Sequence, residues 1–413
     1  MDSGMFRRTW CLRGIVAILA VAALMTVQHI AGQGFTSGSD GSDGPLNLTT
    51  AGTFDLSTLG KDPDGDNIYN FTTINIAAGV TLTLSGQKIS GPVVFLAQGD
   101  VVIAGVVDLR GAKGHTPTSV PGARITTSPG PGGYPGGVGG NSTNVAQTGS
   151  GPGGGAAGNG SVNSARGGGF TGNSFLVPLV GGSGGGGQRS PSSSSYGGGG
   201  GSGGGAILIA SSTSINITGS ILATGGEAGD TSCNCTSNSS GSGAGAGGGI
   251  RLVTPVLRGS GLLVVQPGFG FFGAAAAGGT VRLEAFQNLS GLFADGGTTF
   301  RASPTALALA PHAALRVASV GGIAVPASPT GFFTVPDVVI NTASPVPVNL
   351  EAQNIPVGTT VRLFVFSESG PDLIVDTPGL VQGPGNLLTT TVNVTFPTGY
   401  SRGFAKASYT KQF

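Results

Sequence analysis

Four stretches of this chain repeat one pattern, and that repeat constrains the fold more than any other feature. They are Val93–Gly111, Ala206–Gly226, Ile250–Val265 and Val281–Gly297. Each begins with a short alternating apolar strand. A small break, one or two further short strands and corner glycines follow, and Ile74–Leu84 is a partial earlier copy. Units of 16 to 21 residues have the period of stacked β repeats. Period-two alternation points one apolar row of each strand inward. Glycine lets the backbone turn where a Cβ would clash. One unit cannot bury its apolar row alone, but a stack of them can. The pattern predicts an all-β chain with a right-handed parallel β-helix over residues 35–325. A β-sandwich or a jelly roll is the competing architecture.

Glycine is the second constraint. The chain has 80 Gly in 413 residues, concentrated between the repeats. Residues 129–205 hold 32 Gly in 77 positions and two charged residues, Arg166 and Arg189. All but the last of these positions lie in the largest insertion, residues 115–204, and smaller ones follow at Gly229–Gly249 and Pro267–Gly279. All leave from one corner of the repeat. Two states are open to them, a flexible coil or extended polyproline II-like strands packed beside the repeats. Helix is disfavoured, because each Gly costs about 1 kcal/mol in a helix. Runs of Gly without a three-residue period exclude collagen. A net charge of +1 provides no basic excess for nucleic acid.

Both ends differ from the middle. Arg7, Arg8 and Arg13 precede an uncharged apolar run, Gly14–Val27, of 14 residues. That is short of the roughly 20 that span a bilayer and fits a secretory signal over residues 1–34. The chain is therefore expected to be secreted or at the cell surface, with no stable membrane span after cleavage. Cleavage would remove the only Trp, Trp10, and leave Cys233 and Cys235, a spacing poor for an ordinary disulfide. From residue 332 to 413 the Gly runs stop, and short strands separated by turns predict a small immunoglobulin-like β-sandwich.

Candidate chemistry is sparse. After the leader only His115 and His312 remain, and neither adjoins a nucleophile motif. No acidic residue occurs from Leu109 to Gly226. Acids outside that span include Asp100, Asp108, Glu227, Asp230, Glu284 and Asp295. Asp108 and Glu227 fall near equivalent corners of two repeats and are candidates for a carboxylate pair of the kind that cleaves glycosides, while the nearby Arg110 and Lys113 keep open a polysaccharide lyase, which combines carboxylates with a basic residue. Asp62, Asp64 and Asp66 stand at alternate positions of a turn and form a candidate Ca²⁺ site. Asn67 stands where an EF-hand needs Gly, which excludes that motif. No catalytic residue emerges.

The run Gly-Gly-Ser-Gly-Gly-Gly-Ala206-Ile-Leu-Ile-Ala, followed by Ile-Asn-Ile-Thr-Gly-Ser-Ile-Leu-Ala-Thr-Gly-Gly226, resembles glycine-rich bacterial exported and cell-surface proteins of parallel β-helix type. The resemblance implies architecture and export, and carries over no catalytic residues. Three functions are compatible with these observations. One is a structural or adhesive exported protein that presents Gly-rich loops to a cell-surface or extracellular polysaccharide or protein. The second is a polysaccharide-active enzyme, and the third is a Ca²⁺-dependent binding module.

Overall fold

The computed structural model describes residues 34–409 apart from 63–65, 90, 117–123, 161–163, 192–195, 231–240, 271–274, 308, 310–312, 327–328, 330–335, 368–369 and 386. Cys233, Cys235, His312 and the leader lie outside the described residues.

The structure is β throughout, with no α-helix among the described residues. No described helix is long and apolar enough to cross a membrane. The strands of the first part are β1 (Gly44–Leu48), β2 (Gly52–Asp55), β3 (Ile68–Ile76), β4 (Val80–Thr83), β5 (Val93–Ala97), β6 (Val101–Ile103), β7 (Val106–Asp108), β8 (Ala206–Ser211), β9 (Ser214–Ile217), β10 (Ser220–Leu222), β11 (Gly249–Arg258), β12 (Leu262–Val264), β13 (Thr280–Asn288), β14 (Phe293–Asp295) and β15 (Thr298–Ala302). They form two parallel sheets. One runs β15-β13-β11-β8-β5-β3-β6-β9, with β1 added on β3, and the other runs β14-β12-β10-β7-β4-β2.

Each sequence repeat contributes to both sheets, and equivalent residues pair across neighbouring repeats. In the six-stranded sheet Leu82, Val107, Ile221, Leu263 and Ala294 occupy one row. Leu82, Val107, Ile221 and Leu263 are fully buried. In the other sheet Ile76, Ile103 and Ile217 form a second buried row. Tyr69, Phe71 and Phe95 pack ring on ring at 5.4–5.9 Å near the first repeats. Alternation along each strand supplies these rows, and stacking joins them into one apolar core.

The Gly-rich insertions all connect a strand of the six-stranded sheet to a strand of the larger one: β7 to β8, β10 to β11 and β12 to β13. Their described residues are joined by backbone hydrogen bonds, with Gly182–Gln188 at the centre. Its amides donate in a rotation of three. Gly182, Gly185 and Gln188 donate to the carbonyls of Gly204, Gly201 and Gly198. Ser183 and Gly186 donate to Gly169 and Arg166, and Gly184 and Gly187 to Ser150 and Gln147. Its carbonyls accept from three further segments: Tyr134, Gly137 and Gly140; Gly155 and Gly158; Gly243 and Ala246. Every N–H and C=O from Gly182 to Gln188 is thus bonded, to six neighbours. A period of three is that of the polyproline II helix, which has no internal hydrogen bonds and leaves its backbone free to bond sideways. Of the two states open to these insertions, their described residues have the packed one. Close packing explains the composition: a Cβ on Gly203 would stand 1.8 Å from the Gly182 oxygen, and one on Gly185 would stand 2.2 Å from the Gly243 oxygen.

The last part of the chain is antiparallel. Its strands are β16 (Ala314–Val320), β17 (Ile323–Ala324), β18 (Val346–Gln353), β19 (Val361–Ser367), β20 (Leu373–Asp376), β21 (Val381–Gln382), β22 (Leu388–Val394) and β23 (Ser401–Ala407). They form the sheets β17-β16-β18-β22-β21 and β20-β19-β23, which share a core around Val348, Leu350, Val361, Leu363 and Val365. β16 and β17 belong here, although the sequence reading assigns them to the repeats: β16 pairs antiparallel with β18. An alternating strand suits either partner, so its pattern does not state which sheet it joins.

Gly203→Ala is expected to cost about 1–3 kcal/mol or more, as overpacking does. Gly291→Ala, where the nearest atom to a new Cβ is 3.9 Å away, is expected to stay within about 0.5 kcal/mol of wild type. Denaturant unfolding monitored by circular dichroism compares the two.

Candidate functional site

The acids picked out in the sequence are dispersed and engaged. Asp100 accepts from the hydroxyls of Thr213 (2.6 Å) and Ser214 (2.7 Å). Those two bonds hold its pKa below the ordinary 3.8. Asp108 takes a two-point contact from Arg110, Nε at 2.9 Å and Nη2 at 2.7 Å. Lys113 bridges to Asp230 at 3.0 Å and to Glu227 at 3.8 Å. Asp295 accepts from Gln266 at 2.9 Å. The Asp108–Glu227 pair does not form. The register pairs Asp108 with Leu222, while the Glu227 carbonyl meets the amide of Gly114. The two acids are therefore several residues out of step, because equivalent corners do not align equivalent side chains.

Asp62 accepts the amides of Asp66 (3.2 Å) and Asn67 (3.1 Å), and Asp66 accepts the amide of Ile68 (2.7 Å). These bonds set a turn, helped by the positive φ of 62° at Asn67. Asp64 lies outside the described residues. No group of three metal-ligating side chains occurs among the described residues. His115 has a buried Nε2 with no hydrogen-bond partner among the described residues. Burial, and then the charge of Arg402, hold its pKa below the ordinary 6.5.

One cluster stands apart, on the outward face of the larger sheet. Arg251 on β11 pairs in register with Arg282 on β13, and Glu284 lies two residues beyond Arg282 on the same face. Their exposures are 6 %, 7 % and 0 %. Glu284 Oε1 accepts Arg251 Nε at 2.8 Å and Arg282 Nε at 2.7 Å, and Oε2 accepts the Thr305 hydroxyl at 3.3 Å. Arg282 Nη1 donates to the Ser174 carbonyl at 2.9 Å, and its guanidinium lies 5.0 Å from the centre of the Phe175 ring. The loop carrying Phe175 is shaped by Asn173, whose side chain bonds the backbone of Phe175 and Val177. Burial pushes the Glu284 carboxyl upward, but the hydrogen bonds and charges of the two arginines outweigh it and hold its pKa below 4.5. A cavity of about 410 Å³ opens here, lined by Phe175, Val177, Arg251, Arg282, Thr305 and Ala306.

Sequence reasoning singled out Glu284 but missed both arginines and Phe175. A signal was present. Ile250-Arg-Leu and Val281-Arg-Leu place Arg at the same repeat position, where the earlier copies have Val94 and Leu208. Two charges in a row that is otherwise apolar mark a position with a different neighbour.

Glu284→Gln would leave two buried guanidinium groups without a counter-charge and is expected to cost about 3–5 kcal/mol. Because the folded pKa is depressed, the contribution of Glu284 is complete above about pH 4.5. It is lost as pH falls through the lower folded value. Unfolding free energies between neutral and acid pH should show this loss in wild type, and a smaller one in Glu284→Gln.

Comparison of the chain with family models, with curated proteins and with solved structures gives no match, so its functional reading rests on geometry.

Proposed function

We propose that this chain is an exported structural or adhesive protein without catalytic activity. In this reading a right-handed parallel β-helix holds a rigid bundle of polyglycine segments, with an immunoglobulin-like sandwich at the C-terminal end, as in glycine-rich cell-surface proteins. The loops of the bundle meet an extracellular or cell-surface polysaccharide or protein.

The observation that carries this reading is the direction of the bundle. Segments 134–140 and 155–158 bond in parallel to Gly182–Gln188, whereas 198–204, 166–169 and 147–150 bond antiparallel. The connections that follow Gly140, Gly158 and Gln188 therefore leave from one end. Gly199 bonds His115 and Gly229 there, so the connections after those residues leave from that end as well. A bundle tied by its own backbone keeps its shape whatever side chains its connecting loops carry, which suits loops used for recognition.

The described loop at this end is braced. Arg189 donates to the carbonyls of Asn141 (2.8 Å) and Ser142 (2.9 Å). Arg124 bonds the Gly139 and Val145 carbonyls, pairs with Asp372 of the antiparallel part and lies 5.4 Å from the ring centres of Tyr196 and Phe366. Val145 nevertheless stays 57 % exposed.

Replacing Ser142, Thr143, Asn144 and Val145 by Gly and Ser keeps the backbone acceptors of this brace. Attachment of cells displaying the chain to extracellular matrix is expected to fall at least about tenfold, a loss of about 1.4 kcal/mol, with the melting temperature nearly unchanged. Attachment unaffected by this loop, or a chain retained in the cytoplasm with residues 1–34 intact, would overturn the reading.

A further inference from the structure

We propose that the cavity beside Arg251 and Arg282 is a binding site for a ring-sized organic carboxylate. The inference is independent of export and of adhesion.

Charge balance is the first ground. Two guanidinium groups share one carboxylate, and the described residues supply no other ion pair to either arginine. One positive charge therefore remains at a site where both arginines are more than nine-tenths buried. A buried charge without a counter-charge is costly. Like charges directly opposite on neighbouring strands add to that cost, and Arg251 and Arg282 are such a pair.

Donor arrangement is the second ground. Arg251 spends only Nε, on Glu284. Its two terminal nitrogens have no protein partner among the described residues, and Arg251 lines the cavity. Arg282 spends Nε and Nη1 and keeps Nη2. A guanidinium oriented through its Nε presents the remaining donors as a fork matched to the two oxygens of a carboxylate. Glu284 holds the Arg251 fork and the one remaining Arg282 donor in place through the two Nε bonds.

The walls point to the rest of the ligand. Phe175 is 60 % exposed at the cavity, and Val177 and Ala306 add apolar surface. The volume falls in the range of small-molecule sites. An inorganic ion would fill little of it, whereas a ring carrying a carboxylate would use both the fork and the apolar wall.

Folding does not require charge at this row. In the two earlier repeats it is filled by Val94 and Leu208, both 2–3 % exposed. The sheet closes over apolar residues there without ions.

The test is calorimetric titration of the purified chain with glucuronate, with glucose as its counterpart lacking the carboxylate, and with inorganic sulfate. Glucuronate is expected to bind and to raise the melting temperature, and glucose to do neither. Arg251→Gln leaves a neutral Arg282–Glu284 pair, so the variant is expected to fold. It should weaken glucuronate at least about tenfold, the loss expected for a charge-assisted contact. Phe175→Ala, at an exposed position, is expected to weaken glucuronate and leave sulfate unchanged. If Arg251→Gln does not fold, Arg251→Lys keeps the charge without the fork and is expected to lose glucuronate selectively. Absence of glucuronate binding by wild type overturns the proposal, as does binding that survives both Arg251 variants. Sulfate binding as tightly as glucuronate overturns the assignment to an organic carboxylate.

Discussion

The structure depends on backbone groups bonding one another where no side chains intervene. A segment such as Gly182–Gln188 has almost no apolar surface to bury, so hydrophobic burial cannot order it. What orders it is complete pairing of its N–H and C=O groups with six neighbours, in a setting where an unpaired buried amide would be costly. Glycine is needed because the segments approach so closely that a Cβ would overlap neighbouring carbonyls. The entropy lost in ordering so flexible a residue is large. The lattice is tied to the sheets where its outer segments run into strands, as Gly205 does into β8 and Gly248 into β11.

The stacked parallel repeats supply that anchorage. Their rows of Ile, Leu and Val form a conventional apolar core, and their strands set where each Gly-rich insertion begins and ends. β7, β10 and β12 deliver their connections side by side, so segments far apart in sequence enter the bundle as neighbours. The same stacking brings Arg251, Arg282 and Glu284 together on the outward face, where the loop holding Phe175, itself part of the largest insertion, covers them. The two kinds of order are coupled at that point: part of the Gly-rich insertion is the lid of the charged cluster.

Some of this was legible in the sequence. Alternation and corner glycines located β5 to β14 closely, since both are local properties of a strand and its turn. β1 was missed, because its Gly44–Leu48 segment is short and preceded by Ser, Asp and Gly. β16 alternates like its neighbours and was attached to the wrong sheet, since period two names a face and not a partner. At the site, Glu284 was named among the acids that lie outside the large insertion. Arg251 and Arg282 were not singled out, because the sequence does not reveal that a loop around Ser174 and Phe175 comes to lie against Arg282.

The sequence by itself determined that the chain is β, that its apolar strands repeat, and that its insertions are nearly free of charge. These follow from local sterics and from the period of hydrophobic residues. Only the tertiary structure decided whether the glycine segments would be coil or lattice, because a lattice amide is satisfied by a carbonyl on another segment and nothing in its own residues specifies which. The tertiary structure likewise decided that one guanidinium charge would be buried beside a cavity. That outcome depends on the register of two strands and on the path of a distant loop, neither of which any short stretch of sequence encodes.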